Sequence, residues 1–124
     1  MNDFKVKTFR DMKVWQDAHM LTIEVYGATK EFPDKEQYGL TSQIRRSAAS
    51  IGANIAEGFG RYHFKDKIKF YLNARGSSTE TQSHLLLAKD LGYLENKQAE
   101  NFFDKAEDIS KQLNILIKIT NKNL

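Results

Sequence analysis

The chain has 124 residues, no cysteine and a formal net charge of +3. This length fits one domain able to bury about two-thirds of its unfolded surface. The lack of cysteine excludes a disulfide framework, a thiol nucleophile and any Cys-based metal site. The start, MNDFKVKTFRDMKVW, has acidic residues and no apolar core of signal-peptide length, and no stretch approaches the ~18 apolar residues of a membrane span. A soluble, cytoplasmic protein without membrane contact is expected. One proline and sustained helical spacing predict an all-α chain, a single four-helix domain over residues 1–124.

Residues 1 to about 8 read as a loose arm. Thr8-Phe9-Arg10-Asp11 has the hydroxyl and carboxylate of a capping box. Val14, Ala18, Leu21, Val25, Ala28 and Phe32 then form one helical stripe, and Met12, Trp15, His19, Thr22 and Tyr26 a second. Two stripes on one helix predict neighbours on two sides, with Trp15 as a core anchor. Phe32-Pro33-Asp34 stops this helix, because Pro33 disfavours helical geometry at Phe32.

A second helix is predicted from about Glu36 to Gly58-Phe59-Gly60, where a C-terminal cap is expected. Its segment LTSQIRRSAASIGANIAEGFGR, from Leu40 to Arg61, is small or polar where helices are usually large and apolar. Ala48, Gly52, Ala56 and Gly60 form a nearly bare ridge, beside an apolar stripe of Leu40, Ile44, Ile51 and Ile55. A mid-helix glycine costs ~1 kcal/mol relative to alanine. Close packing of another helix on the ridge at Gly52 is the expected compensation. A third line holds Gln43, Ser47, Ser50, Asn54, Glu57 and Arg61. Amides and hydroxyls dominate it instead of alternating charge, which points to a hydrogen-bonded seam between helices or subunits.

The third helix is predicted to follow His63-Phe64-Lys65-Asp66 and run to Leu91, with Gly92 as a left-handed stop. Ile68, Tyr71 and Leu72 are assigned to the core, and Lys65, Lys67 and Lys69 to the outside. Its middle, ARGSSTETQS, places Arg75, Ser78 and Gln82 at seam positions with Glu80 to one side. Helices two and three are therefore expected to face each other, with Glu57 and Glu80 as partners for Arg61 or Arg75. The fourth helix, with Asn96 as cap, carries Ala99, Phe102, Ala106, Ile109, Leu113, Leu116 and Thr120 on one stripe. Phe103, Ile115, Ile117 and Ile119 widen its apolar area beyond one core face, which suggests self-association.

No chemistry-bearing constellation emerges. His19, His63 and His84 fall on different elements, and the Glu80/His84 pair lacks the second copy that a di-iron bundle needs. There is no nucleophile elbow and no phosphate-binding Gly-Lys-Ser/Thr loop. Neither an enzyme, a cofactor nor a metal is expected.

VWQDAHMLTIEVY, FPDKEQYGLTSQIRRSAASIGANIAEGFGR and FYLNARGSSTETQSHLLLAKDLGYL resemble, in this order, the motifs of a bacterial four-helix-bundle family. Its founding members are encoded in intervening sequences within 23S ribosomal RNA genes, and the accessory proteins of diversity-generating retroelements look similar. Members often carry proline where this chain has Gly52, so a kink there is not carried over. The resemblance implies an antiparallel up-down four-helix bundle assembling into a ring, commonly a homopentamer. In the retroelement relatives the ring has a basic surface and associates with a reverse transcriptase and nucleic acid.

Charge placement adds to this. Residues 36–75 hold seven basic groups against three acidic ones, while the flanking segments are balanced or slightly acidic. Arg45, Arg46, Arg61, Lys65, Lys67 and Lys69 are the candidates for contact with an RNA or DNA backbone. The polar seam of Gln43, Asn54, Glu57, Arg75 and Glu80 is expected to be structural. The alternative is a scaffold that binds another protein, such as a reverse transcriptase, without touching nucleic acid.

Overall fold

The structure is a computed structural model that describes residues 6–124. Part of the expected arm, residues 1–5, lies outside the described residues. The rest of that arm is tied down. Asp11 accepts hydrogen bonds from the amides of Lys7 (2.8 Å) and Thr8 (3.0 Å), and Thr8 Oγ1 accepts one from Arg10. This capping box closes a single 3-10 turn, Phe9–Asp11, and the first helix begins two residues later.

Four helices follow: α1 Lys13–Thr29, α2 Leu40–Phe59, α3 Phe64–Asp90 and α4 Asn96–Asn121. There is no strand among the described residues. The helices contact one another in the cyclic order α1–α2–α3–α4–α1. Side-chain pairs show that each neighbour runs antiparallel. Glu24 meets Lys105 and Asp17 meets Gln112 between α1 and α4. Ser50 meets Ser77 and Ser47 meets Thr81 between α2 and α3, while Ser78 and Gln82 reach Ala106 and Phe103 on α4. In every case one number rises as the other falls. The fold is an up-down four-helix bundle.

The core follows the predicted stripes closely on α1 and α4. Val14, Ala18, Leu21 and Val25 are buried, as are Ala99, Phe102, Ala106, Ile109, Leu113 and Thr120. On α3 the expected face was partly misplaced. Tyr71 is buried, but Leu72 is 40% exposed and Leu86, Leu87 and Leu91 also face outward. Ala74 and Thr81 occupy the interior instead, together with Ser78 and Gln82, which the seam spacing does place there. Polar side chains are accommodated because each finds a partner on a neighbouring helix: Thr81 donates to Ser47 Oγ of α2, and Ser78 and Gln82 donate to Ala106 O and Phe103 O of α4.

Helix boundaries differ from expectation where a connection carries its own turn. Asp34–Glu36 form a separate 3-10 turn, and α2 starts only at Leu40. The Glu36 carboxylate accepts from the Leu40 amide (3.1 Å), which caps α2 with a negative group at its positive end. A Cβ on Gly39 would lie 2.8 Å from that same Glu36 oxygen, so bare backbone there leaves room for the cap. Asn96 is the first residue of α4, not its cap; Glu95 holds the cap position without a side-chain bond. Gly92 does adopt a left-handed conformation, φ 82°. Its amide donates to Lys89 O and that of Tyr93 to Ala88 O, the paired bonds of a Schellman stop.

The bare ridge of α2 is packed only in part, with Ala48 and Gly52 buried and Gly60 exposed, and the tightest glycine of the helix, Gly58, lies off that ridge. Helix α2 passes unbroken through Gly52, where an added Cβ would stand 3.4 Å from the Trp15 indole nitrogen of α1. Trp15 is half-buried there, stacked on His19 with ring centroids 4.6 Å apart and edge-on to Phe9. At Gly58 a Cβ would come within 2.7 Å of the Tyr71 ring and 3.1 Å of Phe70 Cβ. Gly58 is therefore an interior packing residue and not part of a cap. Gly60 closes the helix in ordinary right-handed geometry, φ −77°.

Candidate functional site

Three of the six candidate cations are held by the bundle itself. Arg45 reaches across to the end of α1, where its Nε donates to Thr29 Oγ1 (2.7 Å) and its Nη2 to Tyr26 O (3.4 Å). Its guanidinium also lies over the Tyr26 ring, 4.8 Å from the centroid. Positive charge beside the last carbonyls of α1 complements the helix dipole. Lys67 does the same for α2: its ammonium donates to Phe59 O (2.7 Å) and more weakly to Gly58 O. Burial there lowers the Lys67 pKa from the ordinary lysine value. Arg61 pairs with Glu57 one turn back (2.8 Å) and covers the Phe70 ring.

The other three, Arg46, Lys65 and Lys69, are exposed and form no ion pair among the described residues. They do not make one patch. Lys65 and Lys69 sit on the first turns of α3, whereas Arg46 lies roughly 20 Å away along α2 at 1.5 Å per residue.

The antiparallel fold assembles a different group. Where α2 turns into α3, the start of α1 and the end of α4 also arrive. Lys7 and Arg10 come from the first segment, Lys65 and Lys69 from the first turns of α3, Lys118 from the last turn of α4 and Lys122 from just past its end; all are exposed. Lys13, Arg61 and Lys67 add charge that is already paired or capped. The acidic residues at this end are Asp11, Asp17, Glu57 and Asp66, of which Asp11 is held by backbone amides, Asp17 by Lys13 and Glu57 by Arg61. At the opposite end Lys30, Lys35, Arg45, Arg46, Lys89 and Lys97 are matched by Glu31, Asp34, Glu36, Asp90, Glu95 and Glu100. The bundle is polarised, with one basic end. Sequence windows missed Lys7, Arg10, Lys118 and Lys122 because only the pairing of α1 with α4 brings the segments that carry them to the end of the bundle where α2 turns into α3.

A shallow groove of about 550 Å³ opens at this basic end, lined by Val6, Met12, Phe59, Lys67, Tyr71 and Leu116 among others. Tyr71 is buried on its wall, and burial pushes its phenol up to about 12. It stays neutral at physiological pH and offers no anionic group to the site.

The polar seam divides in two. Ser47 and Thr81 are buried and joined by a 2.9 Å hydrogen bond, and half-buried Ser50 bonds Ser77 at 3.0 Å. Asn54 donates to Ser50 O and Ser50 Oγ, both at 2.9 Å, and extends this line. The charged members lie outside it. Gln43, Glu57, Arg75 and Glu80 are exposed. Arg75 has no internal carboxylate partner, contrary to expectation; its Nη1 donates to Asn114 Oδ1 on α4 (2.8 Å). Glu80 meets half-buried His84 at 3.2 Å on its own helix. Charges of this length project past a close α2–α3 contact into water, so only the short hydroxyls and one amide remain between the helices.

No helix among the described residues is long and apolar enough to cross a membrane. Among curated proteins none matches the chain. A crystal structure of a protein of unknown function from the S23 ribosomal protein family of Bacteroides thetaiotaomicron VPI-5482 has the same fold. Its TM-score is 0.76 at 26% sequence identity, covering 85% of this chain and 98% of that one. The model of the 23S rRNA-intervening sequence protein family matches residues 10–115. With the fold and nearly the whole chain in agreement, the protein belongs to the family of 23S rRNA-intervening sequence proteins.

Proposed function

We propose that this protein is a non-enzymatic oligomer that holds a nucleic-acid backbone against its basic end. The observation that carries this reading is the gathering of Lys7, Arg10, Lys65, Lys69, Lys118 and Lys122 around one end, with little opposing acid. Backbone phosphates attract such a surface irrespective of base sequence, and binding releases condensed counterions. Arg46 is too far along α2 to belong to it. Arg45 and Lys67 serve the fold, and Arg61 contributes only the part of its charge that Glu57 leaves.

Self-assembly supports the reading, because a ring repeats a weak site and raises its effective concentration. Leu72 on α3 and Ile115 and Ile119 on α4 are exposed apolar side chains outside the core, the kind of surface a second copy covers. A ring of five, as the sequence resemblance implies, is the assembly we assign. Sedimentation of the parent and of Ile115→Asp/Ile119→Asp tests it: the parent is expected as an oligomer and the variant as smaller species. A parent chain that sediments as a monomer overturns the ring.

Titration of structured RNA and duplex DNA tests the binding. With roughly four phosphate contacts per subunit, log affinity falls with log salt at a slope of about −3 to −4. Lys65→Glu/Lys69→Glu is expected to weaken binding and flatten that slope. If the parent does not bind at low salt, or the variant binds equally, the basic end is not the site. A protein-binding accessory role, for example toward a reverse transcriptase, then takes its place.

A further inference from the structure

Contact with phosphates alone needs charge, yet the most prominent side chain of the basic end is an aromatic ring. Tyr62 is 89% exposed, in the short connection between α2 and α3. It stands edge-on to His63, with ring centroids 5.0 Å apart, and Phe64 beside it is also exposed. Lys65 and Lys69 lie one turn apart on the adjoining face of α3.

We propose that the nucleic acid met at this end presents unpaired bases, and that Tyr62 is the platform on which one of them stacks; this rests on the backbone reading above. A paired base keeps its faces inside the duplex stack, whereas a splayed base in a loop or single strand offers a π-face to an aromatic ring. Stacking of this kind tolerates any base, which suits a surface whose other contacts go to phosphate. The lysines at 65 and 69 are placed to hold the phosphates flanking the stacked nucleotide.

The backbone beneath the platform is held before any ligand arrives. The connection is short, and both helices it joins are locked together just behind it. Lys67 clamps the Phe59 carbonyl, the Arg61 amide donates to Gly58 O (3.2 Å), and Gly58 presses against the Tyr71 ring. Little backbone ordering is then left to accomplish on binding, which lowers the entropic cost of stacking. Lys67 also offsets the negative end of the α2 dipole, which would otherwise face the incoming phosphate.

Tyr38 provides an internal comparison. It is 90% exposed, but it lies at the opposite end of the bundle, near Arg46 and close to Asp34 and Glu36. An exposed tyrosine without a basic end around it is expected to contribute nothing.

The experiment measures the affinity of the full chain for a uridine 12-mer and for a 12-base-pair duplex across a salt series. The variants are Tyr62→Ala, Tyr62→Phe, Tyr38→Ala and Lys65→Glu/Lys69→Glu. Tyr62→Ala is expected to lose roughly 5- to 100-fold on the single strand, from the typical value of one stacked base. Its duplex affinity and its salt slope stay those of the parent, which also shows that the bundle is intact. Tyr62→Phe keeps single-strand binding and Tyr38→Ala changes nothing. If Tyr62→Ala matches Tyr38→Ala on the single strand, the platform is overturned. The backbone reading still stands in that case, provided the double glutamate variant loses binding to both ligands. If the parent binds neither ligand, both readings fall together.

Discussion

The phenol of Tyr93 donates to Glu36 Oε2 across 2.9 Å and so ties the α3–α4 connection to the α1–α2 connection. The other oxygen of Glu36 caps Leu40 at the start of α2. Two loops and one helix end therefore depend on a single carboxylate.

That dependence carries a pH signature. The Leu40 amide, then the Tyr93 hydroxyl, hold the Glu36 carboxyl below its ordinary value of 4.5, and Glu36 in turn raises the Tyr93 phenol above 10.0. A depressed carboxyl pKa stabilises the fold above 4.5, and that contribution disappears as pH falls through the folded-state value. A raised phenol pKa contributes below 10.0 and is lost as pH rises through its folded-state value. Melting temperature followed from pH 3 to 11 is expected to fall at both extremes. Glu36→Gln should flatten both limbs. Parallel curves for parent and variant would show that the loops do not rely on this pair.

Glycine substitutions should separate tight packing from open space. Gly58→Ala puts a methyl group 2.7 Å from the Tyr71 ring, and overpacking of this kind costs roughly 1–3 kcal/mol. Gly76 has nothing within 4 Å, so Gly76→Ala should gain roughly 0.5–1 kcal/mol from helix propensity. Gly52→Ala, at 3.4 Å from the Trp15 nitrogen, should fall between them, whereas Gly52→Leu collides with the indole. Urea unfolding ranks the alanine variants; Gly58→Ala at parental stability would mean that Tyr71 moves aside freely.

The hydroxyl line between α2 and α3 should behave as a coupled unit. Thr81→Val leaves buried Ser47 without its cross-helix partner but still bonded to Ile44 O, and such a loss costs about 0.5–1.5 kcal/mol. Removing both hydroxyls in Ser47→Ala/Thr81→Val should cost less than the two single changes together. Strict additivity in that double-mutant cycle would show that the 2.9 Å contact adds no interaction free energy.

Arg45 and Lys65 should part company. Arg45→Met removes the bond to Thr29 and the cover over Tyr26, so it lowers stability by about 1–2 kcal/mol and leaves nucleic-acid affinity unchanged. Lys65→Met should do the reverse. Chemical denaturation and a low-salt binding assay on the same two proteins decide it. Reduced affinity in Arg45→Met with unchanged stability would return that guanidinium to the binding surface.

The sequence made the bundle legible wherever apolar residues mark the inward face. Val14, Ala18, Leu21 and Val25, or Ala106, Ile109 and Leu113, repeat at helical spacing and all are buried. Periodicity misled on α3 at Leu72, which faces out, while Thr81 lies inside beside Ser78 and Gln82, the seam residues that the sequence does mark. The reason sits on the neighbouring helices, where Ser47 of α2 and the Ala106 and Phe103 carbonyls of α4 supply the partners. The site was legible only in part for a related reason. The spacing of Arg45 says nothing of Thr29, sixteen positions earlier. Nor does the spacing of Lys118 announce that it shares one end of the bundle with Lys65.

The antiparallel pairing of α1 with α4 has a practical corollary. Asp17–Gln112 and Glu24–Lys105 place the first helix alongside the last, so residues 6 and 124 both lie toward the basic end. An affinity tag or fluorophore after residue 124 sits close to the very surface that nucleic acid is proposed to reach. The chain lends itself to circular permutation instead. A linker from residue 124 to residue 6 would close the chain at the basic end, and new termini opened next to Tyr38 would lie at the opposite end. Such a permutant keeps every helix contact while moving labels to the far side of the molecule.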